Sequence, residues 1–224
     1  MKNRSSVEET ISRFGTPEAA SKYSMALDGT STHRREMSCI LSALEGLPSG
    51  ASVLDIPCGT GRLLKELTEH GYKVTEADSS PHMIKLAQSR ALKEKIDLPE
   101  EAFIVADILK TNFQDKAFDA VVSNRLFHHF PEPEVRRCAL KELGRIARGR
   151  IIVSFFSTRS VDAIIFRMRR LLKHNPAMDR IPISPKVFEL DVQTAGFRVS
   201  RFIAKRPGIS MQCYAVIEKP DGSS

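Results

Sequence analysis

Three aspartates of the sequence each end or directly follow a short apolar run. An acid at Asp55, placed just before a glycine turn, suits a cationic ligand better than a pyrophosphate. A carboxylate at Asp78 can bind both hydroxyls of a ribose. Asp107 can accept from an exocyclic amine while the backbone N–H of Ile108 donates to a ring nitrogen, a pair that reads adenine. Together the three acids favour a nucleoside that carries a cationic group.

Each of these acids also has a structural interpretation when it is taken alone. Asp78 can cap the helix expected near Pro81, for which Ser79 and Ser80 are equally well placed. Asp107 can be an ordinary loop residue. A ligand is favoured because all three acids follow successive apolar runs, which a parallel sheet would bring to one edge.

The glycine turn 57-PCGTG-61 follows Asp55 and excludes two common phosphate sites. A dinucleotide fingerprint needs a third glycine where Leu64 stands, and a P-loop needs Lys-Ser/Thr where Arg62 and Leu63 stand. Glycine allows a tight turn and a close approach of backbone to ligand. Proline fixes φ near −65°, so the turn is expected to need no positive φ at Pro57.

His128 and His129 follow the fourth predicted strand and are the candidate general bases. Histidine exchanges protons near neutral pH, which a reaction at a hydroxyl would use. The alternative is that they bond to backbone and shape the turn before Pro131. The four cysteines are scattered, with no C-x-x-C pair and no His/Cys cluster of zinc spacing, so we expect no metal site.

Strand and helix patterns alternate along the chain, which predicts parallel βαβ units with helices on both faces of a sheet. We expect a Rossmann-like, doubly wound, seven-stranded α/β sheet that is mostly parallel and ends in an antiparallel hairpin. Predicted strands are 51–56, 72–77, 102–106, 118–123, 150–156, 197–205 and 211–219. Predicted helices are 33–47, 61–69, 81–93, 133–147, 160–175 and 184–195. Ligands of such sheets bind beyond the carboxyl ends of the strands, where strand order reverses.

Composition indicates a globular protein with anionic partners. The chain has 224 residues, 42% of them hydrophobic, and a formal net charge of +7. The charge favours nucleic acid, an acidic metabolite or a lipid surface as partner, unless the chain is merely basic. The N-terminus has no apolar signal region and no run is long enough to span a membrane, so we expect a cytoplasmic protein.

A basic amphipathic segment, 161-VDAIIFRMRRLLKHN-175, carries an apolar stripe and a set of arginines. It can be a helix packed on the core with a solvated outer face. It can also be a cap that faces an anion or a membrane surface and recruits an acidic or lipid-like substrate.

The sequence resembles class I S-adenosylmethionine-dependent methyltransferases of the small-molecule type, similar to those of ubiquinone and menaquinone biosynthesis. The motifs that carry the resemblance are VLDIPCGTG (53–61), VTEADSSPHM (74–83), VADIL (105–109) and FDAVVSNRLFHHF (118–130), and it covers roughly residues 35–220. The resemblance implies S-adenosyl-L-methionine as the cofactor. The residues it implies in cofactor binding are Asp55, Pro57, Cys58, Gly59, Gly61, Asp78, Ser79, Met83, Asp107, Ile108 and Asn124.

The resemblance also assigns parts of the cofactor to these positions. Asp55 and the glycine turn would hold the methionyl end, Met83 would pack beside the adenine, and the backbone at Ser123 and Asn124 would close over the methionyl amine. Pro57 departs from the family pattern, which usually has glycine there. The implied organisation is an N-terminal arm or lid at 1–32 and a methyltransferase domain at 33–224, with a basic substrate cap at about 158–185.

We therefore expect an enzyme that transfers a methyl group to a small-molecule acceptor, at oxygen rather than at nitrogen or carbon. The basic helix suggests that this acceptor is anionic or lipid-like. Two alternatives remain. Nucleic-acid methylation fits the charge, but Ser123-Asn124-Arg125-Leu126 lacks the proline pair of amino-group base methylases. A non-catalytic protein that binds the cofactor would carry the same acids. The sequence does not indicate the oligomeric state.

Overall fold

The structure is a computed structural model that describes residues 30–173 and 181–220. One sheet of seven strands forms its centre, in the order β3-β2-β1-β4-β5-β7-β6. The first five strands run parallel, β7 is antiparallel to β5, and β6 is antiparallel to β7. The strands are β1 (Ser52–Asp55), β2 (Lys73–Asp78), β3 (Phe103–Val105), β4 (Phe118–Ser123), β5 (Ala147–Phe156), β6 (Arg198–Ala204) and β7 (Gln212–Glu218). This confirms the predicted fold class.

Six α-helices connect and cover these strands in the described residues. They are α1 (Ser31–Leu44), α2 (Leu64–Glu69), α3 (Pro81–Lys93), α4 (Pro133–Ile146), α5 (Val161–Lys173) and α6 (Pro185–Thr194). Short 3₁₀ turns lie at Glu100–Ala102 and Phe127–His129. Three helices start with proline in their first turn, where the missing N–H costs no hydrogen bond.

Three element boundaries differ from the sequence prediction for identifiable reasons. α1 begins earlier, at Ser31, because the Thr30 hydroxyl accepts from the His33 N–H and caps the helix. α2 begins at Leu64 rather than 61 because Gly61 has φ +70° and still belongs to the turn. β5 begins at Ala147 because α4 leads into it directly, and the ladder with β4 is irregular before it settles at Ala120↔Arg150.

Most of the predicted N-terminal arm, residues 1–29, lies outside the described residues, as does the 174–180 part of the predicted cap. Residues Ser31 and Thr32, which the prediction placed in the arm, belong to α1.

The central strands are buried on both faces, and consecutive side chains enter two separate cores. Val53 packs with α1 and α2, whereas Leu54 packs with α4 and α6. β5 alternates in the same way, with Ile152 on the first side and Val153 on the second. This is why the parallel strands read as continuous apolar runs. Each fully buried branched side chain contributes about 1.5–3 kcal/mol through burial.

The strand register places the carboxyl ends of β1, β2 and β4 side by side. Asp55 pairs with Glu76 on one side and with Val122 on the other. Strand order reverses between β1 and β4. On one side of this point β1 is followed by β2 and β3, and on the other side β4 is followed by β5. The sequence therefore delivers its candidate residues to the edge where such sheets bind ligands.

Candidate active site

Asp55 ends β1 in a fully buried position, with 1% of its surface exposed. Among the residues that the structure describes, neither carboxylate oxygen has a hydrogen-bond partner. Burial raises the pKa of Asp55 well above its ordinary value, the charges of Glu76 and Asp78 raise it further, and Arg62 partly offsets them. A buried carboxylate without donors is costly, so this residue is prepared for a ligand that brings donors and positive charge.

The glycine turn after β1 takes the form that its sequence requires. Gly59 and Gly61 have φ of +57° and +70°, and the peptide bond between Ile56 and Pro57 is cis. Positive φ therefore falls on the two glycines and not on Pro57, which agrees with the expectation for that proline. The turn is fixed to β2 because the Cys58 N–H donates to the Ala77 carbonyl at 2.8 Å.

The space beneath this turn is closely filled. A Cβ added to Gly61 would lie 3.2 Å from Ala87 of α3 and 3.6 Å from a carboxylate oxygen of Glu76. Glycine at this position thus lets α3 and β2 approach the turn.

Asp78 at the end of β2 has a structural role and retains acceptor capacity for a ligand. Its two carboxylate oxygens each accept one backbone N–H at 2.9 Å, from Gly59 and from Ser80. Burial raises its pKa, and these two backbone donors partly offset the effect. Each oxygen has a second lone pair, which can accept from a ribose hydroxyl. Ser80, rather than Ser79, caps α3 by accepting from the Met83 N–H at 3.4 Å.

Asp107 differs from the other two acids because its side chain is exposed. One of its oxygens accepts from the Leu109 N–H at 2.9 Å, and its carbonyl accepts from the Lys110 N–H at 3.0 Å. The side chain therefore stabilises its own turn, as the loop interpretation required. The turn lies next to Asp78, whose carbonyl accepts from the Ala106 N–H at 3.0 Å. Reading of adenine by Asp107 and Ile108 stays a prediction.

Asn124, just after β4, is oriented by two buried residues of β7 that sequence analysis missed. Its side-chain oxygen accepts from Gln212 at 3.3 Å and from the Tyr214 hydroxyl at 3.2 Å. Gln212 also donates to that hydroxyl at 3.0 Å, so the three side chains form a closed set. With its oxygen engaged, the Asn124 amide presents its NH₂ group as a donor.

His128 and His129 lie in the 3₁₀ turn after β4 and are both buried. The His128 ring stacks on Phe156 with a centroid distance of 4.0 Å and an interplanar angle of 3°, and the His129 ring lies 4.2 Å away. The His128 carbonyl accepts from the Ile181 N–H at 2.9 Å. Packing explains both histidines in the structure, and a role as general base stays a prediction.

Three further buried polar side chains were missed by sequence reasoning and have no nitrogen or oxygen partner among the described residues. They are Glu76 in β2, whose oxygens accept from no nitrogen or oxygen donor, the Thr60 hydroxyl in the glycine turn and the Ser123 hydroxyl at the end of β4. All have at most 1% of their surface exposed. An acid two residues before Asp78 in a buried parallel strand was the available signal for Glu76, because it shares a strand face with Asp78.

A buried ionic network holds α1 against the carboxyl edge of the sheet. Glu36 of α1 has no exposed surface and accepts from Arg62 at 3.1 Å and from Arg125 at 2.9 Å. Arg62 directly follows the glycine turn and Arg125 follows β4, where it has φ +63°. A buried carboxylate needs such partners, and removal of one would leave an uncompensated charge. The network therefore fixes the two loops that flank Asp55.

The orphaned groups suit an S-adenosyl cofactor. Asp55 and Glu76 need a cation with donors, which an ammonium group provides, and Thr60 and Ser123 need polar contacts. No group of three or more His, Cys, Asp or Glu that could hold a metal occurs within 30–173 and 181–220. Within the same ranges no helix has the length and apolarity needed to cross a membrane.

The sequence profile of a family described as "Methyltransferase domain" matches residues 53–149, from β1 to the start of β5. Residues 53–149 are therefore similar to methyltransferase domains. The matched region holds the glycine turn, both buried acids of β2 and the candidate histidines.

Curated relatives of this chain are ubiquinone biosynthesis O-methyltransferases. The one from Xanthomonas axonopodis pv. citri (strain 306) is 33% identical over 103 residues, which cover 44% of this chain and 42% of that protein. The one from Xylella fastidiosa (strain 9a5c) is 36% identical over 102 residues, covering 44% and 41%. The matched part therefore spans about two fifths of the length of these relatives.

Solved structures share the fold of this chain over most of its length. Magnesium protoporphyrin IX methyltransferase from Synechocystis PCC 6803, solved with bound SAH, has a TM-score of 0.77 and 19% identity, covering 95% of this chain and 100% of that one. A SAM-dependent methyltransferase from Aquifex aeolicus has a TM-score of 0.66 and 22% identity, covering 91% and 97%. At these identities the likeness concerns the fold alone.

Proposed function

We propose that this chain is an S-adenosylmethionine-dependent methyltransferase that acts on a small-molecule acceptor. The observation that carries the proposal is the set of buried, unpartnered polar groups at the β1–β4 switch point, within a chain whose residues 53–149 are similar to methyltransferase domains. The names of the similar proteins refer to small molecules, ubiquinone and magnesium protoporphyrin IX, which supports a small-molecule acceptor here.

Each residue of the site has a role in this proposal. Asp55 accepts from the ammonium of the methionyl end, Asp78 accepts from the ribose hydroxyls, and Met83, with 2% of its surface exposed, packs beside the adenine. Gly59 and Gly61 let the backbone approach the ligand. The Asn124 NH₂ group, oriented by Tyr214 and Gln212, donates to the methionyl end or to the acceptor.

Bound S-adenosylmethionine supplies a methyl group already activated on a sulfonium, so the chain's main task is alignment. Holding two reactants in line contributes up to about 7–11 kcal/mol toward the barrier. The rigid strand ends and the Glu36 network keep the glycine turn and the loop after β4 in fixed positions. Oxygen is the favoured acceptor atom because the curated relatives are O-methyltransferases, and His129 is the base to test first, since it is more exposed than His128.

α5 supports an anionic or lipid-like acceptor. The described part of its apolar stripe is exposed, with 58% of Ile164 and 57% of Met168 accessible. Ala163 is the buried anchor of the helix, and Val161 and Asp162 fix its start by donating backbone N–H groups to the 206–209 turn. Exposed arginines at 167, 169 and 170 flank the stripe. Exposed apolar and basic faces on one helix fit an anionic interface.

The test of function uses S-adenosylmethionine labelled with tritium in the methyl group. Wild-type protein is incubated with phenolic and carboxylated small molecules in one reaction and with total RNA in another. We expect label in the small-molecule fraction, with loss in Asp55→Asn. Label in RNA alone would identify a nucleic-acid methyltransferase, and cofactor binding without transfer to any acceptor would support a non-catalytic role.

The test of α5 is co-sedimentation with phosphatidylglycerol vesicles at low salt. We expect binding that Arg169→Glu/Arg170→Glu removes and that vesicles of phosphatidylcholine do not support. Lys85→Glu/Lys93→Glu on α3 is the matched control, because both lysines are exposed there. Absence of wild-type binding would end the lipid interpretation. The cytoplasmic location stays a prediction.

A further inference from the structure

Asp55 and Glu76 form a pair of buried carboxylates, which we call the acidic pair. They are direct partners on adjacent parallel strands, so their side chains project from the same face of the sheet. Both side chains are essentially without exposed surface, at 1% and 0%. Among the described residues, no nitrogen or oxygen donates to any of their four carboxylate oxygens.

The charges around the acidic pair do not balance it. Asp78 adds a third negative charge at the end of β2. The charge of Arg62 lowers the pKa of Asp55 and that of Arg90 lowers the pKa of Glu76, but Arg62 also donates to Glu36, and Arg90 lies 4.0 Å from Glu94. The Cys58 thiol is a weak donor toward Glu76. Two adjacent buried carboxylates disfavour each other's ionisation, so at neutral pH the pair is favoured to keep a proton until a further cation binds.

The hydroxyl of Thr60, in the glycine turn that follows Asp55, also lacks a partner among the described residues, although it is buried. Ser123 at the end of β4 has a second unpartnered buried hydroxyl, but its side chain projects from the opposite face of the sheet, because Val122 is the register partner of Asp55. Unpaired polar groups in a core are costly unless a ligand pairs with them. A cluster of acids alone would not identify a ligand site, but the unpartnered Thr60 hydroxyl in the turn that follows Asp55 is an independent observation that points to one.

We propose that Glu76 is a further cofactor-binding residue, which shares a proton with Asp55 and gives it up when the ammonium group of the methionyl end binds. This inference rests on the proposed function. When the ligand binds, the O–H bond of the acidic pair breaks and the proton passes to the buffer in the solvent. The carboxylate formed in this way accepts an N–H from the ammonium group of the ligand. No oxidant or co-reactant is needed.

The titration of the pair agrees with this assignment. Burial raises the pKa of Glu76 to about 8, and the nearby Asp78 charge raises it as well, against the Cys58 thiol and Arg90. At neutral pH the pair without ligand therefore holds a proton. A bound ammonium lowers the pKa again, so binding releases the proton, and affinity rises with pH until the pair is ionised without ligand.

Isothermal titration with S-adenosylhomocysteine tests the proposal without any acceptor or turnover. The titration is run at pH 7 in phosphate and in Tris buffer, because their different ionisation enthalpies reveal how many protons binding releases. We expect release of a fraction of one proton or more by wild-type protein, and an affinity that rises up to about tenfold per pH unit below pH 8. Glu76→Gln should bind with clearly less proton release and a flatter pH dependence, whereas Glu100→Gln, an exposed control, should behave as wild type.

5′-Methylthioadenosine separates the methionyl end from the rest of the ligand, because it lacks both the ammonium and the carboxylate. We expect it to bind without proton release. Equal proton release from wild type and Glu76→Gln, or release with methylthioadenosine, would overturn the assignment of Glu76. If neither S-adenosylhomocysteine nor methylthioadenosine binds, the proposed function is overturned instead.

Discussion

Replacement of Glu76 by glutamine should stabilise the protein in the absence of ligand. Burial raises the pKa of Glu76 from 4.5 to about 8, so the folded chain holds a proton that the unfolded chain has lost at neutral pH. A pH of 7 lies about 2.5 units above the ordinary pKa, and at about 1.4 kcal/mol per unit the free energy of folding is less favourable by about 3 kcal/mol. Glutamine has nearly the same shape and needs no proton.

The pH dependence gives this prediction its sign. An acid whose pKa is raised on folding supports stability fully below its ordinary pKa of 4.5, and this support is lost as the pH rises toward 8. The advantage of Glu76→Gln should therefore shrink from about 3 kcal/mol at pH 7 to below about 1 kcal/mol at pH 5. The pKa of Asp55 should also fall in the variant, since the Glu76 charge is among the causes that raise it.

Urea unfolding followed by circular dichroism at pH 5, 6, 7 and 8 measures both effects. Glu100→Gln serves as the exposed control and should follow wild type at every pH. A Glu76→Gln variant that is no more stable than wild type at pH 7 would refute the reasoning. An advantage of equal size at pH 5 and pH 7 would refute its electrostatic cause.

Two further substitutions test the packing that supports the site. Tyr214→Phe removes the hydroxyl that orients Asn124, which should cost about 1 kcal/mol in the free energy of unfolding and weaken cofactor affinity or turnover. If both stay unchanged, the positioning role is excluded. Gly144→Ala in α4 would place a Cβ 1.9 Å from the Phe197 ring, so it should destabilise by about 1–3 kcal/mol although alanine favours helices. A thermal melt at or above that of wild type would contradict this contact.

The fold could be predicted from the sequence because its strands are short apolar runs separated by amphipathic helices. The helix at Pro81–Lys93 and the strand at Phe118–Ser123 have the bounds that were predicted. β5 began earlier than predicted because Arg148 and Gly149 carry no apolar signal, although the backbone there already belongs to the strand. Exposure of the α5 stripe could not be predicted, because periodicity identifies an apolar face without saying what covers it.

The site was predicted only in part, for reasons that concern side-chain partners. The positions of Asp55 and Asp78 followed from the ends of their strands. The exposure of Asp107 did not, because a turn acid and a ligand acid look the same in sequence. Glu76, Tyr214 and Gln212 lie within strands, and their importance depends on contacts across the sheet that a single sequence does not show.

The central claim is that the buried acids at the ends of β1 and β2 bind an S-adenosyl ligand. Isothermal titration of wild-type protein and Asp78→Asn with S-adenosylhomocysteine tests it most directly. The account predicts saturable binding at one site, weakened about 10- to 100-fold in the variant through loss of a charged acceptor, with both proteins folded by circular dichroism. No binding by wild-type protein at millimolar ligand, or equal affinity in the two proteins, would contradict it.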